Sequence, residues 1–354
     1  MHVKRSSSAL RIAHVAPLWS RVPPTSYGGI ERVVHFLAER MVECGHDVTL
    51  FASADSTTSA RLRGTYPCAL AEAMGRLEAF SYDGYINSSI ADVLAASDCF
   101  DIIHFNVGAI SIPFASVSNA ATLHTIQSDL TLDDCWILDR YPSANVTALT
   151  HQQLRAVEAN RRESIKVVPS GFDFGQYHLS RDAGRYLAFL GRMAPHKGPE
   201  EAIRIARAAG RPIVLAGAPM TQDEKQYFDA VVRPLLDDAD VSYIGPVNDE
   251  QKDGLFRGAT ALLFPIKWDE PFGLVMIEAM ACGVPVIACK RGSVPEIVEF
   301  GTTGFYAEEI ADLAGFVDRA SALDRAAVRE HAKRRFCYRR MTDDYLAIYE
   351  ELLR

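Results

Sequence analysis

One stretch leaves this chain few choices of fold. Residues 261–266 form a short apolar run, Trp268-Asp269-Glu270-Pro271-Phe272-Gly273 is a turn, and residues 274–282 are apolar apart from Glu278. An unbroken apolar run of this length reads as a strand buried on both faces of a parallel sheet. Pro271 suits the first position of a helix, where its missing N–H would have no partner anyway. Gly283 suits the position just past the helix end, where positive φ is common. Residues 284–289 read as the next strand, so the unit is strand, turn, helix, strand, and the fold class is α/β.

The chemistry of this unit is concentrated at its turn. Glu270 stands at the mouth, and Glu278 follows after seven intervening residues, on a helix otherwise apolar all round. A carboxylate in such a helix is costly without polar partners. Between the two lie the amides near Gly273, Leu274 and Val275, which at a helix N-terminus form an anion site. A carboxylate, an anion site and a second, deeper carboxylate match a sugar, a diphosphate and a ribose. A buried helix with a satisfied structural glutamate is the plainer reading of the same residues.

The rest of the chain repeats the α/β pattern. Residues 11–17 read as a strand, and a long loop runs to Gly28-Gly29. Residues 30–44 carry apolar residues at helical spacing, and residues 47–51 are a second strand. Two helices are expected around 66–80 and 86–97. Strands follow at 101–105, at 120–125 (where His124 closes the apolar run), at 146–149 and at 165–169. Residues 170–175 read as a hinge, with a polar linker to Gly184. A second series begins at 186–190, with a helix at 199–209, a helix at 222–236 and strands at 213–216, 241–244, 261–264 and 284–288. The tail from about 313 is helical. The expected domains are 1–175 with a returning helix at 339–354, and 176–338, consistent with 354 residues at about 150 per domain.

Composition removes several functions. A net charge of −8 disfavours a nucleic-acid partner. Seven scattered cysteines without a Cys-x-x-Cys pair argue against a disulfide framework and a zinc site. No apolar run is long enough for a transmembrane helix, and the N-terminus has no secretory pattern, so a cytoplasmic protein is expected, with at most peripheral membrane contact through residues 333–340. The loop after the first strand lacks G-x-G-x-x-G, which disfavours a nicotinamide cofactor. Asp238-Ala239-Asp240 is a literal Asp-x-Asp, but it precedes a strand, whereas ligands gather at strand C-termini, so no metal is expected there.

Gly191-Arg192 and Lys197-Gly198 follow a strand and precede a helix, placing a guanidinium and an ammonium where they could neutralise a leaving diphosphate. Together with Gly28-Gly29, Pro169-Ser170-Gly171-Phe172-Asp173, Glu270-x7-Glu278, Ser293-Val294-Pro295-Glu296 and Gly301-x2-Gly304, these residues resemble the family-4 glycosyltransferases. The resemblance spans residues 11 to about 350. It implies the GT-B fold, two Rossmann-like domains facing across a cleft with the C-terminal helix crossing back to the first. It also implies a retaining, nucleotide-sugar-dependent and metal-independent hexosyltransferase without cofactor.

By that resemblance, Arg192 and Lys197 clamp the diphosphate, and Glu270 lies beside the transferred sugar. The amides near Gly273, Leu274 and Val275 receive phosphate or sugar groups, and Glu278 holds the ribose. Pro246 and Val247 adjoin the base. Gly28 and Gly29 let the backbone approach the diphosphate or acceptor, and His124 contacts the sugar near its reacting face. Attack from the leaving-group side, with the departing phosphate taking the proton, needs no general base from the protein. Asn106 stands where many relatives carry a second histidine, and Ser170 replaces the commoner asparagine.

The base is not encoded in side chains. UDP-glucose is expected by analogy with the opening residues 16–34, and the acceptor is an unknown hydroxyl on a sugar, lipid-linked sugar or small molecule. Trp19 and Tyr27 could offer it an aromatic platform. A catalytically silent sugar-nucleotide-binding subunit and a GT-B epimerase are the alternatives.

Overall fold

The eleven runs read as strands are joined by two more in the computed structural model, which describes residues 9–25 and 28–354 and holds thirteen strands among them. In chain order they are β1 (Arg11–Val15), β2 (Asp47–Ala52), β3 (Arg61–Gly64), β4 (Ile102–Phe105), β5 (Ala121–Ile126), β6 (Val146–Ala148) and β7 (Lys166–Val167). Then come β8 (Tyr186–Leu190), β9 (Ile213–Ala216), β10 (Val241–Tyr243), β11 (Ala259–Phe264), β12 (Val286–Cys289) and β13 (Gly304–Ala307). The chain divides into two compact units, Met1–Phe172 with Tyr338–Arg354, and Asp173–Cys337, the first boundary falling within the stretch read as a hinge.

Each unit is a parallel sheet wound in both directions from its middle. The first has the order β3-β2-β1-β4-β5-β6-β7 and the second β10-β9-β8-β11-β12-β13. In each, the strand order reverses at one pair, β1/β4 and β8/β11. The loops leaving the C-terminal ends of such a pair diverge and leave a crevice, where ligands of open α/β sheets bind.

The strands missed by sequence are edge strands. β3 is Arg-Leu-Arg-Gly, mostly exposed, so it has no apolar pattern to read. β13, Gly-Phe-Tyr-Ala, is the other sheet's edge. The helix expected at 66–80 is only Leu70–Gly75. The one expected at 222–236 is broken into an α-helix at Gln222–Tyr227, a π turn and a final 3-10 turn holding Pro234. Proline removes a backbone donor from that last turn.

Beneath the returning helix Tyr338–Leu352, the first sheet carries a row of buried polar side chains. His104 of β4 bonds Tyr349 OH through Nδ1 at 2.7 Å and Thr125 Oγ1 through Nε2 at 2.6 Å. Thr125 Oγ1 also bonds Thr147 Oγ1 at 2.7 Å and Tyr345 OH at 3.2 Å. On β1, His14 lies beside His104, ring centroids 5.2 Å apart, with Nε2 3.2 Å from Met41 Sδ. These bonds anchor the last helix to the first unit, since each hydroxyl of the helix satisfies a group the sheet has removed from water.

Candidate functional site

The second unit gathers charge at the crevice between β8 and β11. Leaving β8, the chain passes Gly191 and Arg192, makes a single turn at Pro195–Lys197 and enters the helix Pro199–Ala208. Leaving β11, it passes Lys267 to Gly273 and enters the helix Leu274–Ala281. The two loops are tied by Lys267 N–H donating to His196 O at 2.8 Å. Lys267 Nζ also reaches Glu200 at 2.7 Å and Glu201 at 3.2 Å.

Across this seam Lys197 Nζ meets Glu270 Oε2 at 2.5 Å, with side chains only 17% and 13% exposed. Arg192 is close by in charge: it, Lys197, Glu224 and Glu270 all act on His196, which burial and then the two cations hold below its ordinary pKa. The Arg192 guanidinium pairs with Glu224. Burial pushes the Glu224 carboxyl up, but the Met220 amide, at 2.7 Å, and Arg192 outweigh it and leave the group below its usual range. Glu224 was not foreseen, because nothing local in the sequence marks a partner 32 residues from Arg192.

The Glu270 turn is held from behind. Gly292 N–H donates to Asp269 Oδ1 at 2.9 Å, Ser293 N–H to Glu270 O at 2.9 Å, and Ser293 Oγ to Phe272 O at 2.7 Å. Gly292 has φ +51°, and a Cβ there would lie 2.3 Å from Glu270 N. Gly292→Ala is therefore expected to displace this turn and cost about 2–4 kcal/mol of stability, read as a lower urea midpoint. An unchanged midpoint would show that the turn yields freely.

The structure corrects the helix start. Pro271 is buried in the turn, and the helix begins at Leu274 with Gly273 as its N-cap at φ +79°. That left-handed residue swings the chain into the helix, which proline with its fixed negative φ could not do. Gly273, Leu274 and Val275 are half-buried, whereas Met276 to Ala281 are buried, so the first turn is the part of the helix that solvent reaches. Gly283 has φ +77° just past the C-cap.

Glu278 is 6% exposed. Tyr177 OH donates to it at 3.1 Å and Lys252 Nζ at 2.7 Å, both to Oε1, and Lys252 also reaches Asp249 at 3.1 Å. These are the polar partners that its apolar helix required. Pro246 and Val247 follow β10 at the same edge of the sheet, Pro246 exposed and Val247 buried. Asp238, before β10, accepts from Arg207 Nε at 2.9 Å in an exposed turn.

In the first unit the expected residues behave differently. His124 is not at a strand end: it is the fourth of six residues in β5 and fully buried. Its ring stacks on Phe105 at 5.0 Å, with Nδ1 2.8 Å from Ser111 Oγ and Nε2 3.1 Å from Thr122 Oγ1. Both nitrogens are thus engaged, and burial pushes the ring down to about 3, so it is a neutral core histidine. We therefore leave it out of the candidate site. Gly28 is the N-cap of the helix Gly29–Glu43, and a Cβ there would lie 2.6 Å from Pro24 Cβ. Asn106 is buried, its Oδ1 accepting from Gln127 Nε2 at 3.1 Å. Trp19 is 37% exposed and edge-on to Tyr82 at 6.3 Å, while Tyr27 lies outside the described residues. Glu31, missed by sequence, is buried in the first helix, where burial pushes its carboxyl to about 7 although Ser20 N–H donates to it at 3.0 Å.

Among the described residues no three His, Cys, Asp or Glu side chains converge as a metal cage, and no helix is long and apolar enough to cross a membrane.

The second unit and the architecture as a whole have matches among known proteins. Residues 175–334 match the family model described as glycosyl transferases group 1. The chain resembles the family-4 glycosyltransferases, and its two Rossmann-like units have the GT-B fold. Over 229 residues it is 32% identical to a D-inositol 3-phosphate glycosyltransferase of Mycolicibacterium smegmatis, covering 58% of this chain and 52% of that protein. The chain spans about half the length of the curated relatives it matches. Among solved structures, AviGT4, a glycosyltransferase involved in avilamycin A biosynthesis, is 25% identical with a TM-score of 0.73, covering 97% of this chain and 98% of that one. Anabaena Alr3699/HepE in complex with UDP-glucose is 18% identical with a TM-score of 0.72, covering 97% and 100%.

Proposed function

We propose that this protein is a retaining glycosyltransferase that moves a hexose from a nucleoside diphosphate sugar to an acceptor hydroxyl, without metal or cofactor, in the cytoplasm. The observation that carries this reading is the Lys197–Glu270 pair at the switch point of the second sheet, on the loop that leads into the half-buried first turn of the helix Leu274–Ala281.

Each part has a chemical task there. The ammonium of Lys197 and the guanidinium of Arg192 take up charge on the leaving diphosphate, with the Leu274 and Val275 amides contributing aligned dipoles. Glu270, once Lys197 turns to phosphate, offers its carboxylate to the sugar hydroxyls and to positive charge growing on the ring. Glu278 Oε1 holds both Tyr177 and Lys252, which fixes the carboxylate and leaves Oε2 for a ribose hydroxyl. The acceptor oxygen attacks on the face the phosphate leaves, and that phosphate takes the acceptor proton, so the anomeric configuration is kept. UDP-glucose is our proposed sugar donor, in keeping with the Anabaena protein's complex. The mycobacterial relative's name makes an inositol phosphate one acceptor to try.

Glu278→Ala tests the ribose assignment. The KM for the sugar donor should rise about tenfold or more, with a smaller fall in kcat, because ribose binding is equal in ground and transition states. Glu278→Gln, which keeps an acceptor for Lys252, separates this from the cost of leaving that buried ammonium with Asp249 as its one remaining carboxylate. An unchanged KM in both variants would remove Glu278 from the site.

A further inference from the structure

Lys197 has a second partner that the transfer chemistry leaves unused. Its Nζ lies 4.6 Å from the centroid of the Trp268 ring while it pairs with Glu270. On the indole's own side, His196 packs edge-on to Trp268 with centroids 5.4 Å apart. Trp268 and Lys267 share one loop, His196 and Lys197 the other, and the bond from Lys267 N–H to His196 O fixes them in register. The indole is therefore a fixed surface under a long, flexible cation. An aromatic face attracts an ammonium through its quadrupole, and tryptophan does so most strongly. Lysine otherwise loses much rotamer freedom when its charge is held at one point.

We propose that Trp268 is a positioning residue for the diphosphate charge: its indole face holds the Lys197 ammonium in place while the ammonium exchanges the Glu270 carboxylate for a phosphate oxygen. Carboxylate and phosphate compete for the same cation, and the ring keeps it at the crevice in both pairings. Phosphate binding then does not have to order a free lysine. This inference rests on the reading of the site as one for a nucleoside diphosphate.

The test compares wild type, Trp268→Leu and Trp268→Phe by calorimetric titration with UDP, GDP and ADP, and with the nucleoside of whichever binds. Trp268→Leu should weaken the diphosphate roughly tenfold and leave the nucleoside unchanged, since only the phosphates use Lys197. Trp268→Phe, which keeps an aromatic face, should recover most of that loss. Three results would overturn the proposal: full diphosphate affinity in Trp268→Leu, an equal loss of diphosphate and nucleoside, or no recovery with phenylalanine. Wild type binding none of the three diphosphates would overturn the reading of the site itself, and this inference with it.

Discussion

Lys197→Ala should slow sugar transfer by roughly a hundredfold or more, the scale on which a fixed charge at a developing anion acts. The side chain does two things at the crevice between β8 and β11. It supplies positive charge where the diphosphate would leave, and it pairs with Glu270 at 2.5 Å. Alanine removes the charge and leaves a mostly buried carboxylate with one partner fewer. The fall should appear mainly in kcat, because charge on the leaving phosphate is greatest at the transition state. Lys197→Met, which keeps an apolar stem over Trp268, should be as slow as alanine if charge is what matters. Steady-state rates with a saturating sugar donor decide this, and full activity in either variant would mean the cation is misassigned.

Acid should unfold the first unit. His14, His104 and His124 are fully buried, and burial drives His14 down to about 4 and His124 to about 3, with His104 well below its ordinary value. Each ring is neutral in the fold but takes a proton in the unfolded chain near its ordinary 6.5. Their contribution is complete above that value and is lost as pH falls toward 4. Glu31 opposes them. Its carboxyl stays protonated up to about 7 in the fold, so its contribution is present in acid and is lost as pH rises through 7. Between the ordinary carboxylate range and 6.5, unfolding thus takes up three protons on histidines and releases one from Glu31. Two net protons correspond to about 3 kcal/mol per pH unit. Against a stability of about 5–15 kcal/mol for a domain, two pH units are a large part of the whole. Urea midpoints followed by tryptophan emission at about pH 6.5 and about pH 4.5, the window in which that slope applies, should fall steeply. Equal midpoints would show that these histidines are not buried neutral.

The two predictions draw on residues of very different legibility. Glu270, Gly273 and Glu278 could be read together because they share one strand–turn–helix unit, where chain spacing fixes spatial order. Arg192 and Lys197 could be read because their loop also follows a strand. Their partners could not: Glu224, Lys252, Tyr177 and Ser293 come from elements far along the chain, and only the packing of the sheet brings them in. Pro271 misled because proline suits both a helix start and a tight turn, and Gly273 beside it takes the left-handed step. His124 misled for another reason. An apolar run shows that a strand is buried but not which of its residues lies at the open end, and here Thr125 and Ile126 continue the strand past the histidine. The row from His14 to Thr147 was invisible, since polar residues inside apolar runs reveal their partners only when neighbouring strands are in register. β3 escaped because an exposed edge strand needs no apolar alternation.

The central claim is that the β8/β11 crevice of the second unit binds a nucleoside diphosphate through Lys197, Arg192 and the Leu274–Val275 amides. Calorimetric titration of the purified protein with UDP, GDP and ADP, in chelator-treated buffer, tests it most directly. The account predicts that one of the three binds selectively without metal, and that Lys197→Ala weakens it. Binding of none, or binding that Lys197→Ala leaves untouched, would contradict it.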